Sequence, residues 1–310
     1  MADTHGIPVL EFADYHEGGL KRATFVQALG GALSRYGFVA ITGHGVDEAL
    51  IDQAFASAAE VFALPTAIKH AYERPECARQ RGYTPFGVEK AKGENSHDLK
   101  EFWHVGRDLP ADHPARLAGL MADNAFPPEV PAFARAMRHL FAAQERFALG
   151  MLAAIARYLG VDPTLFLDLV EDGNSVLRVI HYPDLAGPPP AGSIRAAAHE
   201  DINLLTVLPT ATRPGLQILT REGEWLDVEA PPGAMICDTG DMMALLTGGR
   251  LPATTHRVIN PEGQGDGGRM SMPFFLHPHP FAVLAPIDGS GAGRVAHEFL
   301  AERLRANGVG

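Results

Sequence analysis

The sequence predicts a chain in two unlike halves: helices with a few short strands first, then an all-β half of the sandwich or barrel kind. Two observations carry this. Residues 129–159 hold the strongest helical periodicity in the chain, whereas from residue 175 onward the apolar residues fall into short runs. Gly, Pro and Asn punctuate those runs at intervals of roughly 8–12 residues, the rhythm of strands joined by turns. A third observation concerns chemistry. One run, RAAAHEDINLLTVL (195–208), opens with His199 and Asp201 two residues apart, which on a strand is one face.

Taken in order, IPVLEF (7–12) reads as a short strand. Residues 20–37 have helical spacing and end at Gly37, a suitable C-cap. FVAITGHGV (38–46) is a strand closing on a glycine turn, and 47–63 is a helix stopped before Pro65. The polar stretch 74–98 has no clear period and exceeds most connections in compact domains, so it is expected to be a functional loop or cover. In 129–159, Val130, Phe133, Met137, Leu140, Gln144, Phe147, Met151, Ile155 and Leu159 recur at helical steps, marking the core face of one long helix. The runs SVLRVIHYP, IRAAAH, NLLTVLP, GLQILT, EWLDVE, AMICDT, MMALLTG, ATTHRVIN and RMSMPFFLHP follow as β-like segments. Loops are expected at 188–190 and 261–268, and a helix at 293–306. The halves are not expected to fold independently, because the first helices should buttress the β core.

Composition narrows the function. A formal net charge of -11 argues against nucleic-acid and anionic-membrane partners, which call for a basic surface. The one locally basic run, Lys90, Lys92 and Lys100, is diluted by Glu89, Glu94 and Glu101. Two cysteines without CxxC spacing exclude a disulfide framework and a cysteine zinc site, and suit a reducing cytosol. The N-terminus lacks a signal-peptide pattern. No stretch reaches the roughly 18 apolar residues of a membrane span. The expectation is a cytoplasmic protein with a small-molecule partner.

Alone, H-x-D is weak, since a His beside an Asp is as often a structural pair as a ligand pair. A third group on another strand raises its weight, and ATTHRVIN supplies His256. Two imidazoles and one carboxylate on one side of a metal leave the opposite positions open, as in non-haem Fe(II) oxygenases; a zinc hydrolase can use the same ligand types. In RMSMPFF, Arg269 and Ser271 also share a face. A guanidinium fork fits a carboxylate in bidentate fashion, and buried inside a barrel it needs an anion. A neighbouring Asp or Glu could serve; beside an iron triad the better partner is the far carboxylate of 2-oxoglutarate. Tyr182 could add a hydroxyl.

With these motifs in place, the chain resembles the isopenicillin N synthase-like branch of the Fe(II)/2-oxoglutarate-dependent dioxygenases over nearly its whole length. His199, Asp201 and His256 fall on that family's iron ligands, and Arg269 and Ser271 on its R-x-S co-substrate motif. IPVLEF, RYGFVAITGHGV, VFALP with Lys69, and RGY resemble its leading region. The resemblance implies a mainly β core, a double-stranded β-helix or jelly roll, flanked by α-helices that include the long one. It divides the chain into an N-terminal buttress and lid (1–120) and a part (121–310) holding the long helix, the jelly-roll core and the C-terminal helix. It implies Fe(II), 2-oxoglutarate and O2 as reactants, succinate and CO2 as products, and hydroxylation as the default outcome, with desaturation or ring closure as variants. The chain departs from the family at Glu200, between the ligands, and at Ile180, where Asn is frequent.

Two other readings remain at this level: a same-fold oxidase that does not use 2-oxoglutarate, and a non-catalytic small-molecule binding protein. His44 is expected in a turn, His181 on the face opposite Tyr182, and His277 and His279 in a loop. Trp103 and Trp225 should be packing residues, while Asp238 and Asp241 should bracket a turn at Gly240. The stretch 74–103 is expected to form part of a lid, with Arg81, Tyr83 and Phe86 as substrate contacts and Arg81 facing a substrate carboxylate.

Overall fold

The computed structural model describes residues 6–89, 97–184, 192–260 and 268–306. The loop expected at 188–190 and, but for Gly268, the one at 261–268 lie outside the described residues. The leading region runs β1 (Val9–Glu11), α1 (Ala13–Glu17), α2 (Gly19–Tyr36), β2 (Phe38–Thr42), α3 (Glu48–Phe62), α4 (Thr66–His70), β3 (Gly82–Thr84), β4 (Glu101–Gly106) and α5 (Pro114–Leu117). The long helix α6 (Pro131–Leu159) and α7 (Thr164–Val170) follow. The β half comprises β5 (Val176–Tyr182), β6 (Ala196–His199), β7 (Leu205–Pro209), β8 (Leu216–Leu219), β9 (Trp225–Asp227), β10 (Met235–Thr239), β11 (His256–Val258), β12 (Arg269–Ser271) and β13 (Phe274–Leu276). It is interrupted by α8 (Asp241–Leu246) and closed by α9 (Ala296–Ala306).

Two sheets face each other. The major sheet has the order β1-β2-β10-β7-β13-β5-β4-β3, with β12 also pairing β5; the minor sheet has the order β6-β11-β8-β9. Strands of the leading region occupy both ends of the major sheet, so the two parts of the chain share one sheet. Apart from β1 with β2, these pairings are antiparallel.

The major sheet is covered on both faces, which is why β2, β7 and β10 read as continuous apolar runs. Val39, Ile41, Val207, Cys237, Leu177 and Val179 pack outward against α2, α3 and α6. The alternate residues Phe38, Ala40, Leu208, Ile236, Phe102 and Ile180 point inward to the minor sheet. The α6 stripe is the expected one: Phe133, Met137, Leu140, Gln144, Phe147, Met151, Ile155 and Leu159 are all buried. Pro131 at its first turn and left-handed Gly160 at its C-cap set its ends. Gln144 is accommodated in the core by donating from Nε2 to the carbonyls of Val207 (3.3 Å) and Met272 (3.1 Å), tying the helix to the sheet.

Gly37 ends α2 as expected. Its φ of 68° is left-handed, its N–H bonds the Leu33 carbonyl, and a Cβ there would collide with Thr254. Two expectations need correction. MMALLTG is not a strand: α8 forms there because Met, Ala and Leu are strong helix formers and the run is too short for period to discriminate. His199 and Asp201 do not share one strand either: β6 ends at His199 in the minor sheet, β7 lies in the major sheet, and residues 200–204 carry the chain across.

Candidate active site

That crossing positions the metal-type ligands. His199 ends β6 and lies directly opposite His256, the first residue of β11, with ring centroids 4.4 Å apart. Asp201 sits just beyond β6, in the crossover, rather than on the strand as expected. Its Oδ1 is 3.8 Å from Nε2 of His256, and ligand atoms of the three residues lie within 4.8 Å of one another. Each imidazole is held by a backbone carbonyl through Nδ1: His199 by Ala197 (2.7 Å) and His256 by Thr254 (3.1 Å). If Nδ1 carries the proton, Nε2 is left as a lone-pair donor, the arrangement of metal-binding histidines. Burial, and then the neighbouring His256, lower the His199 pKa to about 4, so the ring is neutral near pH 7.

The Asp201 carboxylate is oriented as well. Thr206 Oγ1 donates to its Oδ2, Asn203 Nδ2 donates to Thr206 (2.9 Å), and the Asp241 N–H bonds the Asp201 carbonyl (2.8 Å). Asp238, expected in a turn, lies within β10 with its side chain buried and inward. Burial first, and the adjacent Asp201 second, push its carboxyl well above the usual range; it is hydrogen-bonded to Asp201. Strand parity in AMICDT is the signal for it, since Asp238 shares the inward parity of Ile236.

The same parity assembles the rest. Along β5, Arg178, Ile180 and Tyr182 face inward, while His181 faces outward to the Phe62 ring and Glu101, as expected. Along β12, Arg269 and Ser271 face inward, opposite Tyr182 and Ile180 respectively. A cavity between the sheets is lined by Tyr182, Arg269, Ser271, His199, Asp201 and His256, and also by Lys100 and Arg178. Arg269 is 4% exposed, donates from Nε to the Arg213 carbonyl (3.0 Å) and lies 5.1 Å from the Tyr182 ring centroid. Burial lowers its pKa from the ordinary arginine value. Its Nη1 has no hydrogen-bond partner among the described residues, so no neighbouring Asp or Glu among them neutralises it there.

A second cavity opens on the other side of His199 and Asp201. Its wall includes Gln80, Glu89, Asp98 and Lys100 from the 74–103 stretch, Arg178 from β5, Phe275 and His277 from the end of β13, and Leu300 and Leu304 from α9. His277 is therefore buried against a cavity, although its setting among prolines predicts only a loop. The three residues expected as contacts stand elsewhere. Arg81 is fully buried and its guanidinium is taken by the carbonyls of Gln80 (2.7 Å) and Ala122 (3.2 Å) and by Asn174 (3.3 Å). Tyr83 points outward to Glu101 (2.6 Å), which also meets Lys69 (2.7 Å). Phe86 is exposed and lines neither cavity. A non-periodic stretch does not reveal which of its residues turn inward. Of the other residues set aside, His44 holds a turn through Gly233 (2.7 Å) and Val46 (3.1 Å), and Trp103 is core.

A jelly roll with two imidazoles, a carboxylate and, among the described residues, a buried arginine without a carboxylate partner in one cavity defines the class of non-haem iron oxygenases that bind an anionic co-substrate. Relatives bear this out. The family profile described as non-haem dioxygenase in morphine synthesis N-terminal matches residues 7–129, and that of the 2OG-Fe(II) oxygenase superfamily matches 173–278. The 2-oxoglutarate-Fe(II) type oxidoreductase hxnY of Emericella nidulans is 31% identical over 281 residues, 88% of this chain and 80% of the relative. Proline hydroxylase buaE of Petromyces alliaceus is 31% identical over 282 residues, 87% of this chain and 86% of the relative. Among solved structures, a 2OG-Fe(II) oxygenase family protein from Caulobacter crescentus is 40% identical with a TM-score of 0.87, covering 97% of this chain and 99% of its own. A full-length Neurospora crassa protein in complex with alpha-KG is 25% identical with a TM-score of 0.86, covering 99% of this chain and 98% of its own. The chain belongs to the Fe(II)/2-oxoglutarate-dependent dioxygenase family. It is an enzyme of that kind, using Fe(II), 2-oxoglutarate and O2. No helix among the described residues is long and apolar enough to cross a membrane.

Proposed function

We propose that His199, Asp201 and His256 bind the Fe(II), that Arg269 with Ser271 and Tyr182 takes the distal carboxylate of 2-oxoglutarate, and that the enzyme hydroxylates a small organic molecule held in the outer cavity. The observation that carries this is the buried Arg269 guanidinium with an open Nη1, in the same cavity as the triad. A desolvated cation is stable there only with an anion, and a dicarboxylate between Arg269 and the triad fits the space. Bound iron with 2-oxoglutarate supplies the oxygen activation. The chain's own contribution is ligation by neutral imidazoles, orientation of Asp201 by Thr206, and two walled cavities that limit water. Ile180 opposite Ser271 makes the co-substrate cavity more apolar than Asn would.

The relative named a proline hydroxylase supports hydroxylation over desaturation or ring closure. The net charge of -11 supports a small molecule over nucleic acid as the partner. Two free cysteines, Cys77 and Cys237, support a cytoplasmic setting. We assign residues 1–120 to the buttress and part of the outer cavity wall, and 121–310 to the core with its ligands.

Anaerobic addition of Fe(II) and then 2-oxoglutarate should give a visible metal-to-ligand charge-transfer band, with succinate released on admitting air. His256→Ala should bind iron far more weakly and lose both signals. An undiminished band and turnover in His256→Ala would sink the ligand assignment. Absence of the band in wild type, with O2 still consumed, would make Arg269 a substrate-carboxylate anchor instead.

A further inference from the structure

The outer cavity is bordered by two cations, Lys100 buried and Arg178 partly buried, and both already face carboxylates. Lys100 Nζ lies 2.8 Å from Glu89 Oε2 and 2.8 Å from Asp98 Oδ2. Arg178 Nη1 lies 3.2 Å from the same Glu89 oxygen. Arg178 is also fixed in place: its Nε donates to His104 Nε2 (2.7 Å), and its guanidinium carbon lies 4.5 Å from the Phe102 ring centroid and 5.4 Å from that of Phe275. His104 sits close to the Arg79 carbonyl through Nδ1 (2.8 Å), so it accepts from Arg178 as a neutral ring. A third carboxylate, Glu200, stands on the wall and accepts from Thr255. Among the described wall residues, then, carboxylates match or outnumber the cations, and no ammonium or guanidinium is left without a carboxylate.

We propose that the outer cavity selects compact substrates carrying no net negative charge, and that Glu89, by engaging both Lys100 and Arg178, is the residue that rejects carboxylates. This rests on the outer cavity being the substrate side of the site, as proposed above. An incoming carboxylate must displace Glu89 from two cations where little water reaches to compensate, and it leaves that largely buried carboxylate, 13% exposed, unpaired. A neutral amide, alcohol or heterocycle meets no such obstacle. It finds apolar surface on Phe275, Leu300 and Leu304 and a polar contact in His277, a residue 8% exposed whose Nδ1 has no partner among the described residues. Burial lowers the His277 pKa to about 4, so it meets the substrate as a neutral imidazole.

The experiment uses the full chain loaded anaerobically with Fe(II) and saturating 2-oxoglutarate, so that the Arg269 site is filled. Matched neutral and anionic probes, benzamide with benzoate and cyclohexanecarboxamide with cyclohexanecarboxylate, are titrated by calorimetry and by their perturbation of the charge-transfer band. Wild type should hold each amide at least about tenfold more tightly than its carboxylate, the discrimination expected of one displaced buried pair. Glu89→Gln, which keeps shape and removes the charge, should narrow that ratio by tightening the carboxylate. Glu89 is the position to change because Asp98 also accepts from the Ala197 N–H (3.0 Å), next to the His199 anchor, and its loss would disturb the ligand. A wild-type cavity that holds the carboxylate as tightly as the amide, or holds neither, overturns the proposal without a variant having to fold. A Glu89→Gln protein that still rejects carboxylates overturns the role of Glu89. Failure to form the band at all faults the reading of the site instead.

Discussion

The cavities that meet at His199 and Asp201 also share Lys100 and Arg178, yet the cations that line them are paired in opposite ways. In the inner one, Arg269 has a carbonyl on Nε, a tyrosine ring beside it and no partner on Nη1 among the described residues. Lys100 and Arg178, which border both cavities, are engaged by carboxylates of the chain itself. The difference thus lies in how each cation is paired among the described residues, not in which cavity it faces. A buried guanidinium is a binding site only when its counter-ion has been left out. Residue type and an inward place on a strand alone would have marked Arg178 as readily as Arg269; the pairing separates them.

Removing Arg269 gives the largest contrast between the cavities. Arg269→Ala should raise the apparent Km for 2-oxoglutarate by about 30- to several-thousand-fold, corresponding to roughly 2–5 kcal/mol for losing one partner of a buried charged pair. Iron affinity should stay within a few-fold, as read by metal titration without co-substrate. Arg269→Lys should recover only part of the loss, because an ammonium cannot offer the planar fork. A 2-oxoglutarate Km unchanged in Arg269→Ala would erase the distinction. Thr206→Val is a smaller intervention, at the point both cavities share. It keeps the shape and removes the hydroxyl that orients Asp201, so iron affinity should fall by about 10- to 100-fold. Thr206→Ser should restore most of it. Equal affinities in Val, Ser and wild type would mean that the Thr206 hydroxyl does not orient the carboxylate and that the carboxylate's hydrogen bond with Asp238 suffices.

How legible these features were depended on whether strand parity applied. Arg269 with Ser271, and His181 against Tyr182, could be placed from alternation because β12 and β5 are regular paired strands. The α6 face was equally plain, since twenty-nine residues of unbroken helix give the period room to declare itself. The H-x-D pair was recognised for its chemistry but not its geometry: a chain passing between sheets looks, locally, like a chain continuing along one. Asp238 followed the parity rule and was missed because the glycine after it suggested a turn. Glu89 and Lys100 were beyond sequence reasoning, for their roles arise only where a non-periodic stretch docks between β5 and β6. Arg81, in the same stretch, faces Ala122 and Asn174 instead, and no local pattern separates it from its neighbours.

The smallest effect concerns acid, and it divides the histidine shared by both cavities from one belonging to the outer cavity alone. Burial lowers the folded-state pKa of His199 and of His277 to about 4, from an ordinary value of 6.5. A histidine held neutral by the fold takes up a proton more readily when unfolded. Each therefore contributes stability that is fully present above pH 6.5 and is lost as the pH falls toward 4. Between about pH 7 and about pH 5.5 the metal-free protein should lose on the order of 1 kcal/mol for each, as measured by denaturant titration in the presence of a chelator. His277→Gln, which keeps a polar side chain at the outer wall, should give a shallower pH slope by about that amount, while His199 continues to supply its share. Groups that titrate the other way, such as the raised Asp238 carboxyl, are common to both proteins and cancel in the difference, provided the substitution does not disturb them. An identical slope in metal-free wild type and His277→Gln would mean that the His277 imidazole takes up its proton without unfolding, and the outer cavity would then be wetter than its packing implies.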